Sequence, residues 1–353
     1  MPNLKQALKL ERIDGSDDKE GPFTFRAELS SIWTVAGKPH GGYLLALLTS
    51  ACSLVMKGSS TPDPAQLMTS FLIGCNNGAA DVVVSVVRRG KSWTNLEARI
   101  VQKGKTNVIA QALYTSFPSL PTSSPHPPFS TSYQNLLPLT PSPYAKRTPF
   151  RTHPSLCDPT QAYDRKHDEF GRRWGKNENS AMFMILEGEM EWVEDEEIKK
   201  RREDGDEKGR KELEWASWFE LKDLEGEALT MEMMPFFSDL MSSIPELLPP
   251  GERVDPHYYP TLTMSIHFHA KLPFPSNSPY LNSPKTVGVY STGHHIQQGR
   301  HEQLTEVWTA PSALGQGAVQ DDWRERSMLL ISGTQLALSV DIQKLFGGKF
   351  GKM

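Results

Sequence analysis

The sequence predicts an α+β fold in which two long helices each pack on an antiparallel sheet. Three observations predict it. Residues 43–56 form a long, almost uniformly apolar run without turn-forming residues, which indicates a buried helix. Closely spaced segments with alternating apolar residues follow it, as expected for a strand meander. The same order of strand, apolar helix and strand meander returns later in the 353-residue chain, so we expect two similar units.

The first unit is assigned to residues 1–117. Its first strand lies in GPFTFRAELSSIW, where apolar residues alternate at Phe23, Phe25 and Ala27. The apolar helix comes next, and Gly58 is expected to end it. Four strand segments complete the unit, separated by the turns NNGAA, RGK and KGK: AQLMTSFLIG, DVVVSVVRRG, SWTNLEARIVQKG and NVIAQALYTSF.

Two segments between the units differ in composition from the rest. Residues 118–168 are assigned to a linker, because the segment SLPTSSPHPPFSTSYQNLLPLTPSP is rich in Pro, Ser and Thr and is expected to be extended rather than packed. Residues 194–214 (EDEEIKKRREDGDEKGRKELE) are almost entirely charged or Gly. They predict a solvated excursion between two strands, either disordered or a frayed helix.

The second unit is assigned to residues 169–353. WASWFEL is predicted to be a strand and ALTMEMMPFFSDLMSSIPELL a helix. Four strands follow: TLTMSIHFHAKLPF, KTVGVYSTGHHIQ, RHEQLTEVWTA and SMLLISGTQLALSV. The repeat lies in the order of the elements and not in residue identity between the halves.

Composition narrows the class of protein. The net charge of −4 and the pI near 6.2 leave no basic domain, which argues against nucleic-acid binding. The three cysteines are few and far apart, so neither a disulfide framework nor a CxxC metal pair is expected, and a reducing compartment is favoured. No apolar run approaches the roughly 18 residues that a membrane span needs. The N-terminus lacks an apolar signal core, and the C-terminal GKM resembles a peroxisomal SKL signal only weakly, so we expect a cytoplasmic protein.

An acid, a hydroxyl and an amide in the last third of the chain point to chemistry. Asp239 lies in the predicted second helix, Thr263 near the start of a strand, and Gln335 in the final strand. Asp239 is the only acid between Met233 and Ile244, and a carboxylate on a buried helix can accept a proton from water or attack directly. Thr263 and Gln335 can orient that water. The alternative is a local cap for Asp239 and two solvent-facing strand residues.

The tripeptide His40, Gly41 and Gly42 precedes the first helix. Free N–H groups at a helix N-terminus carry partial positive charge, and glycines allow a ligand to approach closely, so the Gly41 and Gly42 amides are candidates for an oxyanion hole. The glycines could equally serve only to pack the helix tightly. His40 is interpreted as a helix-entry or pocket residue and not as a general base.

Two further groups of residues are candidate binding sites. Arg88, Arg89 and Lys91 form a basic cluster at a turn that could contact the phosphates of coenzyme A, or could be a solvated hairpin end. His267 and His269 lie two apart on one strand face, but a catalytic zinc site needs a third protein ligand, so no metal is expected. No cofactor is expected either.

Three motifs resemble the double-hotdog acyl-CoA thioesterases, the acyl-CoA thioesterase II family and its fungal thioesterase-like relatives. They are HGGYLLALL at the first helix, RRGKSWTNLEARIVQKGK from Arg88 to Lys105, and the ordered trio of Asp239, Thr263 and Gln335. The resemblance covers residues 21–117 and roughly 215–340. It implies two hotdog units in one chain, each a long helix wrapped by a curved antiparallel sheet.

The resemblance also implies a function. The chain is expected to hydrolyse an acyl thioester, acyl-CoA or an acyl carrier, with Asp239 as general base and with Thr263 and Gln335 positioning the water. Two alternatives stay open: a non-hydrolytic hotdog that binds an acyl chain or another hydrophobic metabolite, and a hydratase or dehydratase. A contact between His40 and Asp239 would favour the second alternative. A homo-oligomer is also left open, because exposed sheet edges can associate.

Overall fold

The computed structural model describes residues 2–14, 21–35, 37–117, 146–158, 189–206, 208–224, 226–249, 251–253, 257–276 and 278–341. The predicted start of the second unit at residue 169 and most of the predicted linker lie outside these ranges. Within them there are five α-helices: α1 (Leu4–Ala7), α2 (Gly41–Met56), α3 (Glu196–Asp204), α4 (Met234–Ser238) and α5 (Trp323–Arg326).

The described residues also form seventeen β-strands. In chain order they are β1 (Glu11–Arg12), β2 (Phe23–Leu29), β3 (Thr34–Val35), β4 (Lys38–Pro39), β5 (Asp63–Phe71), β6 (Gly78–Arg89), β7 (Thr94–Gln102), β8 (Lys105–Thr115), β9 (Met190–Glu194), β10 (Glu214–Leu221), β11 (His257–Tyr258), β12 (Thr261–Phe268), β13 (Thr286–Thr292), β14 (Ile296–Gln297), β15 (Arg300–Thr309), β16 (Leu329–Leu338) and β17 (Val340–Asp341).

One antiparallel sheet joins both halves of the chain. Its strand order over the described residues is β1-β2-β6-β7-β8-β5-β12-β16-β15-β13-β10-β9, with β14 paired to β15, while β3-β4 and β11-β17 form separate pairs. The first six strands in this order precede residue 117 and the last six follow residue 189. The halves meet where β5 pairs with β12, and Thr69 lies opposite Met264 at this seam.

The core lies between α2 and the inner face of the sheet. Four leucines of α2 are almost fully buried: Leu44, Leu45, Leu47 and Leu48. Each contributes roughly 2 kcal/mol by leaving water. The helix ends at Met56, and Gly58 takes the left-handed conformation at φ 77°, so the predicted first helix and its glycine stop are confirmed.

The second long helix predicted from the sequence is wrong. In its place lie a single 3-10 turn at Met231–Met233, the short helix α4, and a second 3-10 turn at Ile244–Leu247. Asp239 ends α4 with φ −108° and ψ 10°. Pro245 has no N–H to donate to the Met241 carbonyl, and its ring would clash with that carbonyl in an α-helix, so the apolar run does not continue as one helix. Within the described ranges the fold therefore has one long helix and a large antiparallel sheet.

The outer face of the second half carries a covering layer, defined here as residues 146–158 and α3. Phe150 is fully buried, and its ring centroid lies 3.9 Å from that of Trp218. The Asp195 carboxylate caps α3 by accepting from the Glu197 and Ile198 N–H groups, and it also accepts from the Arg151 and Thr152 N–H groups at 2.8 and 2.9 Å. This shared anchor fixes both parts of the layer against the sheet.

The covering layer corrects the expectation of an extended linker and, of the two alternatives for the charged insertion, supports the helix. Residues 146–158 pack on the sheet instead of running as an extended linker, and residues 196–204 of the charged insertion form a capped helix between β9 and β10. Arg201 of α3 pairs with Glu214, whose side chain is fully buried. The charged residues of this insertion therefore form ion pairs with one another and with strand residues, and they do not only contact solvent.

Across the described part of the chain, the helices are all too short or too polar to cross a membrane.

Candidate functional site

Asp239 occupies the point where α4 meets the start of α2. It follows the five helical residues that begin at Met234 and directly precedes the buried Leu240. Its side chain is only 9% exposed. Because α4 ends at Asp239, the carboxylate projects toward the N-terminus of α2 and toward β16 instead of along a continuous helix face.

Three groups contact the Asp239 carboxylate or its backbone. The Gly42 N–H donates to Oδ2 at 2.7 Å, and the Gln335 Nε2 donates to Oδ1 at 2.7 Å. The His40 Nε2 lies 3.1 Å from the Asp239 carbonyl oxygen and 3.4 Å from Oδ2. A carbonyl oxygen only accepts, so Nε2 is the nitrogen of His40 that carries a proton.

Burial away from water raises the pKa of Asp239 above its usual range. His40, the Gly42 N–H and the Gln335 amide all favour the ionised form and oppose this increase. The carboxyl group is therefore a stronger base than a solvated aspartate while it is still held in a fixed orientation. This combination suits a group that removes a proton from water.

Gln335 links Asp239 to Thr261 and not to Thr263. The same Gln335 Nε2 donates to Asp239 Oδ1 and to Thr261 Oγ1, both at 2.7 Å. Asp239 and Gln335 thus meet as the sequence predicts, whereas Thr263 does not join them. Thr263 is exposed and lines a groove of about 580 Å³ on the outer face of the sheet with Met68, Ser70 and Leu336.

A β-bulge explains the exchange of the two threonines. Thr261 lies opposite Ala337, while Thr263 lies opposite Leu336, so the register shifts by one residue between them. Regular alternation would place Thr261 and Thr263 on the same face. The bulge turns Thr261 inward and leaves Thr263 outward. The sequence TLT contains both hydroxyl groups. The bulge that places them on opposite faces cannot be recognised from the pattern of apolar residues.

Gly41 and Gly42 are positions of close approach between α2 and α4. A Cβ atom on Gly41 would lie 2.6 Å from Asp239 Oδ2, and one on Gly42 would lie 2.6 Å from the Phe236 carbonyl oxygen. Gly42 therefore allows the close packing of α2 against α4, as one of the two interpretations expected. The Gly42 N–H already donates to Asp239, so the predicted oxyanion hole does not have both glycine amides free.

The basic cluster lies far from Asp239. Arg88, Arg89 and Lys91 are exposed near the end of β6, and Arg89 pairs with Thr94 across the hairpin. The Thr94 hydroxyl lies 2.8 Å from the Thr61 hydroxyl, just beyond the C-terminal end of α2. Asp239 lies at the other end of this 16-residue helix, which is about 24 Å long. The structure does not bring the cluster to the carboxylate.

The two strand histidines are also outside the site. His267 and His269 are exposed on the outer face, and the His269 Nε2 lies 2.8 Å from the Ser332 hydroxyl. Among the residues that the structure describes, no three His, Cys, Asp or Glu side chains are grouped to hold a metal ion.

Two segments of the chain match domains of one known protein family. Residues 29–116 match the acyl-CoA thioesterase N-terminal domain, and residues 160–316 match the acyl-CoA thioesterase C-terminal domain. The chain belongs to the acyl-CoA thioesterase family. Asp239 of this thioesterase-family chain lies within the second matched domain, and Gly41 and Gly42 lie within the first.

Curated relatives of this thioesterase-family chain match it only in part. An uncharacterized protein of Mycobacterium tuberculosis (strain ATCC 25618 / H37Rv) is 27% identical over 107 residues, 30% of this chain and 37% of the relative. The ustilagic acid biosynthesis cluster protein orf2 of Mycosarcoma maydis is 29% identical over 121 residues, 30% of this chain and 31% of the relative. The chain spans about a third of the length of these relatives.

Solved structures match this thioesterase-family chain over nearly its whole length. A conserved protein of unknown function with hot dog fold from Alicyclobacillus acidocaldarius has a TM-score of 0.60 at 14% identity, covering 96% of this chain and 98% of that one. The acyl-CoA thioesterase II TesB2 of Mycobacterium marinum has a TM-score of 0.57 at 13% identity, covering 95% and 97%. These likenesses establish a hotdog fold.

Proposed function

We propose that this chain hydrolyses an acyl thioester, acyl-CoA or acyl carrier, to a free acid and a thiol. The observation that carries the proposal is the buried Asp239 carboxylate, held by the Gly42 N–H and the Gln335 amide at a helix N-terminus. Membership of the acyl-CoA thioesterase family supports the reaction class. We also infer two related units, residues 1–117 and 169–353, joined by the segment 118–168. In the second unit the short helix α4 and its flanking 3-10 turns take the place of the long helix.

The proposed reaction uses Asp239 as general base. A water molecule donates a proton to the carboxylate while its oxygen attacks the thioester carbonyl carbon. Collapse of the tetrahedral intermediate breaks the C–S bond, and the proton held by Asp239 passes to the leaving sulfur. The product acid and thiol separate, and the carboxylate is regenerated.

Thr261 and Gln335 position the attacking water in this proposal. The Thr261 oxygen accepts from Gln335, so its own hydrogen is available to the water oxygen. One lone pair of the water then accepts from Thr261, and the other faces the carbonyl carbon. Thr261 thus takes the role that the sequence suggested for Thr263. The Gly41 N–H at the start of α2 is the proposed donor to the oxyanion, because the Gly42 N–H is engaged by Asp239.

The test is thiol release from a panel of acyl-CoA thioesters of different chain lengths. We expect wild-type turnover on at least one member, and we expect Asp239→Asn to lower kcat by at least about 100-fold. Gln335→Ala should also lower kcat, while the folded state of both variants is checked by circular dichroism. Full activity of a folded Asp239→Asn variant would remove the assignment of Asp239 as the base.

A second candidate is a hydratase or dehydratase, because His40 does contact Asp239. Hydration of an enoyl thioester would consume the conjugated double bond and leave the thioester intact. The contact between His40 and Asp239 is the one expected for a hydratase or dehydratase. We place hydrolysis first because both matched domains are those of acyl-CoA thioesterases. Loss of enoyl-CoA absorbance without thiol release would favour hydration. If neither absorbance loss nor thiol release is observed, a non-hydrolytic binder is favoured.

A further inference from the structure

A row of side chains crosses four strands at the level of Asp239. Thr69 of β5 lies opposite Met264 of β12, Met264 lies opposite Gln335 of β16, and Gln335 lies opposite Gln303 of β15. Directly opposed residues on antiparallel strands share a face and have Cβ atoms about 5 Å apart. Gln303 is therefore the immediate neighbour of Gln335 on the inner face, although it is not part of the trio found in the sequence.

Gln303 contacts the chain that follows Asp239. Its Nε2 donates to the Ser242 carbonyl oxygen at 2.6 Å and to the Ser291 hydroxyl at 3.0 Å. The Gln303 side chain is fully buried, so water does not compete for these bonds. Ser242 lies three residues beyond Asp239, within the turn between α4 and the 3-10 turn at Ile244–Leu247.

The Asp239 turn, defined here as residues 239–243, is consequently held from two adjacent residues of the sheet. Gln335 holds the carboxylate at its beginning, and Gln303 holds the backbone near its end. A turn between a five-residue helix and a 3-10 turn has little intrinsic stability. Fixing both ends limits the positions that the Asp239 carboxylate can take relative to Thr261.

We propose that Gln303 is a positioning residue that fixes the Asp239 turn through the Ser242 carbonyl, with Ser291 holding its amide in place. This inference rests on the proposed function for its effect on turnover, but its structural part does not. Gln303 does not touch the reacting atoms, so its loss should lower kcat and leave KM almost unchanged.

The test compares Gln303→Met with Thr305→Val. Methionine keeps length and apolar volume but lacks the donor to Ser242. Thr305 is a matched control, since it lies on the same strand and face, is equally buried, and its hydroxyl bonds to no group in the described residues. We expect Gln303→Met to lower kcat on the order of 10-fold to 100-fold with KM within about 2-fold, and Thr305→Val to change neither.

Two further readouts separate positioning from general destabilisation. Looser hydrogen bonds to the carboxylate should move the acid limb of the kcat profile to higher pH in Gln303→Met and not in Thr305→Val. Amide hydrogen exchange in residues 240–243 should be faster in Gln303→Met only. Equal kcat, pH profile and exchange in the two folded variants would overturn the inference.

Two remaining outcomes are also decisive. If Gln303→Met does not fold, Ser291→Ala replaces it, and faster exchange in residues 240–243 is expected because the Gln303 amide loses one of its two acceptors; unchanged exchange would count against the inference. If the wild type releases no thiol from any thioester, the proposed function fails, while the exchange comparison still decides whether Gln303 holds the turn.

Discussion

The Asp239 carboxylate is buried and has three nearby hydrogen-bond donors. Burial raises its pKa, and the three donors lower it. Burial has the larger effect, so the pKa of Asp239 in the folded protein lies above its value in the unfolded chain. A raised carboxyl pKa means that the folded state binds more protons than the unfolded state as pH increases past the unfolded value. Asp239 therefore favours folding at low pH and loses this contribution as pH rises through its folded pKa.

Asp239→Asn should remove this pH-dependent loss. We expect the stability of the variant, relative to wild type, to increase between about pH 4 and about pH 7, because Asp239 ionises in the unfolded chain as pH rises through its usual value while burial opposes ionisation in the folded protein. Urea midpoints of both proteins at the two pH values measure the change. A constant difference across the interval would show that the Asp239 pKa is not raised.

The two threonines at the bulge provide a matched pair of substitutions. Thr261→Val removes the hydroxyl that accepts from Gln335, and we expect kcat to fall on the order of 10-fold, the effect of one hydrogen bond in the transition state. Thr263→Val should leave kcat within about 2-fold, since its hydroxyl faces the outer groove. Steady-state kinetics of both variants on one acyl-CoA substrate measures the two kcat values. A larger loss in Thr263→Val than in Thr261→Val would place the site on the outer face of the sheet.

At the scale of elements, α3 shows how a charged segment becomes ordered. Arg201 pairs with the fully buried Glu214, which also accepts from the Tyr290 hydroxyl at 3.1 Å. The nearby pair of Arg210 and Asp206 is exposed, with Arg210 73% accessible. The two pairs lie in one insertion and differ mainly in burial, so they should differ in their effect on stability.

Arg201→Ala leaves the Glu214 carboxylate buried without its charged partner, and we expect a loss of about 3 kcal/mol in the free energy of unfolding. Arg210→Ala should change it far less, because solvent screens the exposed pair of Arg210 and Asp206. Chemical denaturation of the two variants beside wild type measures both values. Equal small effects would indicate that Glu214 is reached by water.

The elements also show what the sequence predicts and where it fails. Helix α2 is predictable because its apolar run and the glycine that follows it, Gly58, are local features of the sequence. The contact between Asp239 and Gln335 is also found as predicted. The run from Met231 to Leu248 is also rich in apolar residues, yet its backbone leaves the helical conformation after Asp239 and at Ser243. Gln303 and Thr261 enter the site through strand register and a bulge, which are set by contacts far apart in the chain and not by local pattern.

At the scale of the whole molecule, the sheet is continuous across the seam between β5 and β12. Trp33 of the first half packs edge-on against Phe236 of the second, with ring centroids 5.1 Å apart. Helix α2 and α4 also touch through Gly42. Both halves therefore share one core, and opening either half exposes apolar surface of the other.

Cysteine reactivity can test this shared core. Cys52 lies in α2, and Cys157 lies in the covering layer of the second half; burial raises the pKa of the two thiols to about 12 and about 11. We expect neither to react with a thiol reagent in the native protein, and both to become reactive over the same range of denaturant. Labelling followed by mass spectrometry identifies each site, and two separate ranges would show that the halves unfold independently.

The pairing of β5 with β12 also limits polymerisation through backbone hydrogen bonds. Unpaired, each of these long strands would offer a row of free N–H and C=O groups to any other extended chain. Within the described sheet, the terminal strands are instead β1, which consists only of the exposed Glu11 and Arg12, and the five-residue β9, which carries Glu191 and Glu194. Short, charged borders of this kind make strand-by-strand growth into fibrils unfavourable even though the sheet itself is wide.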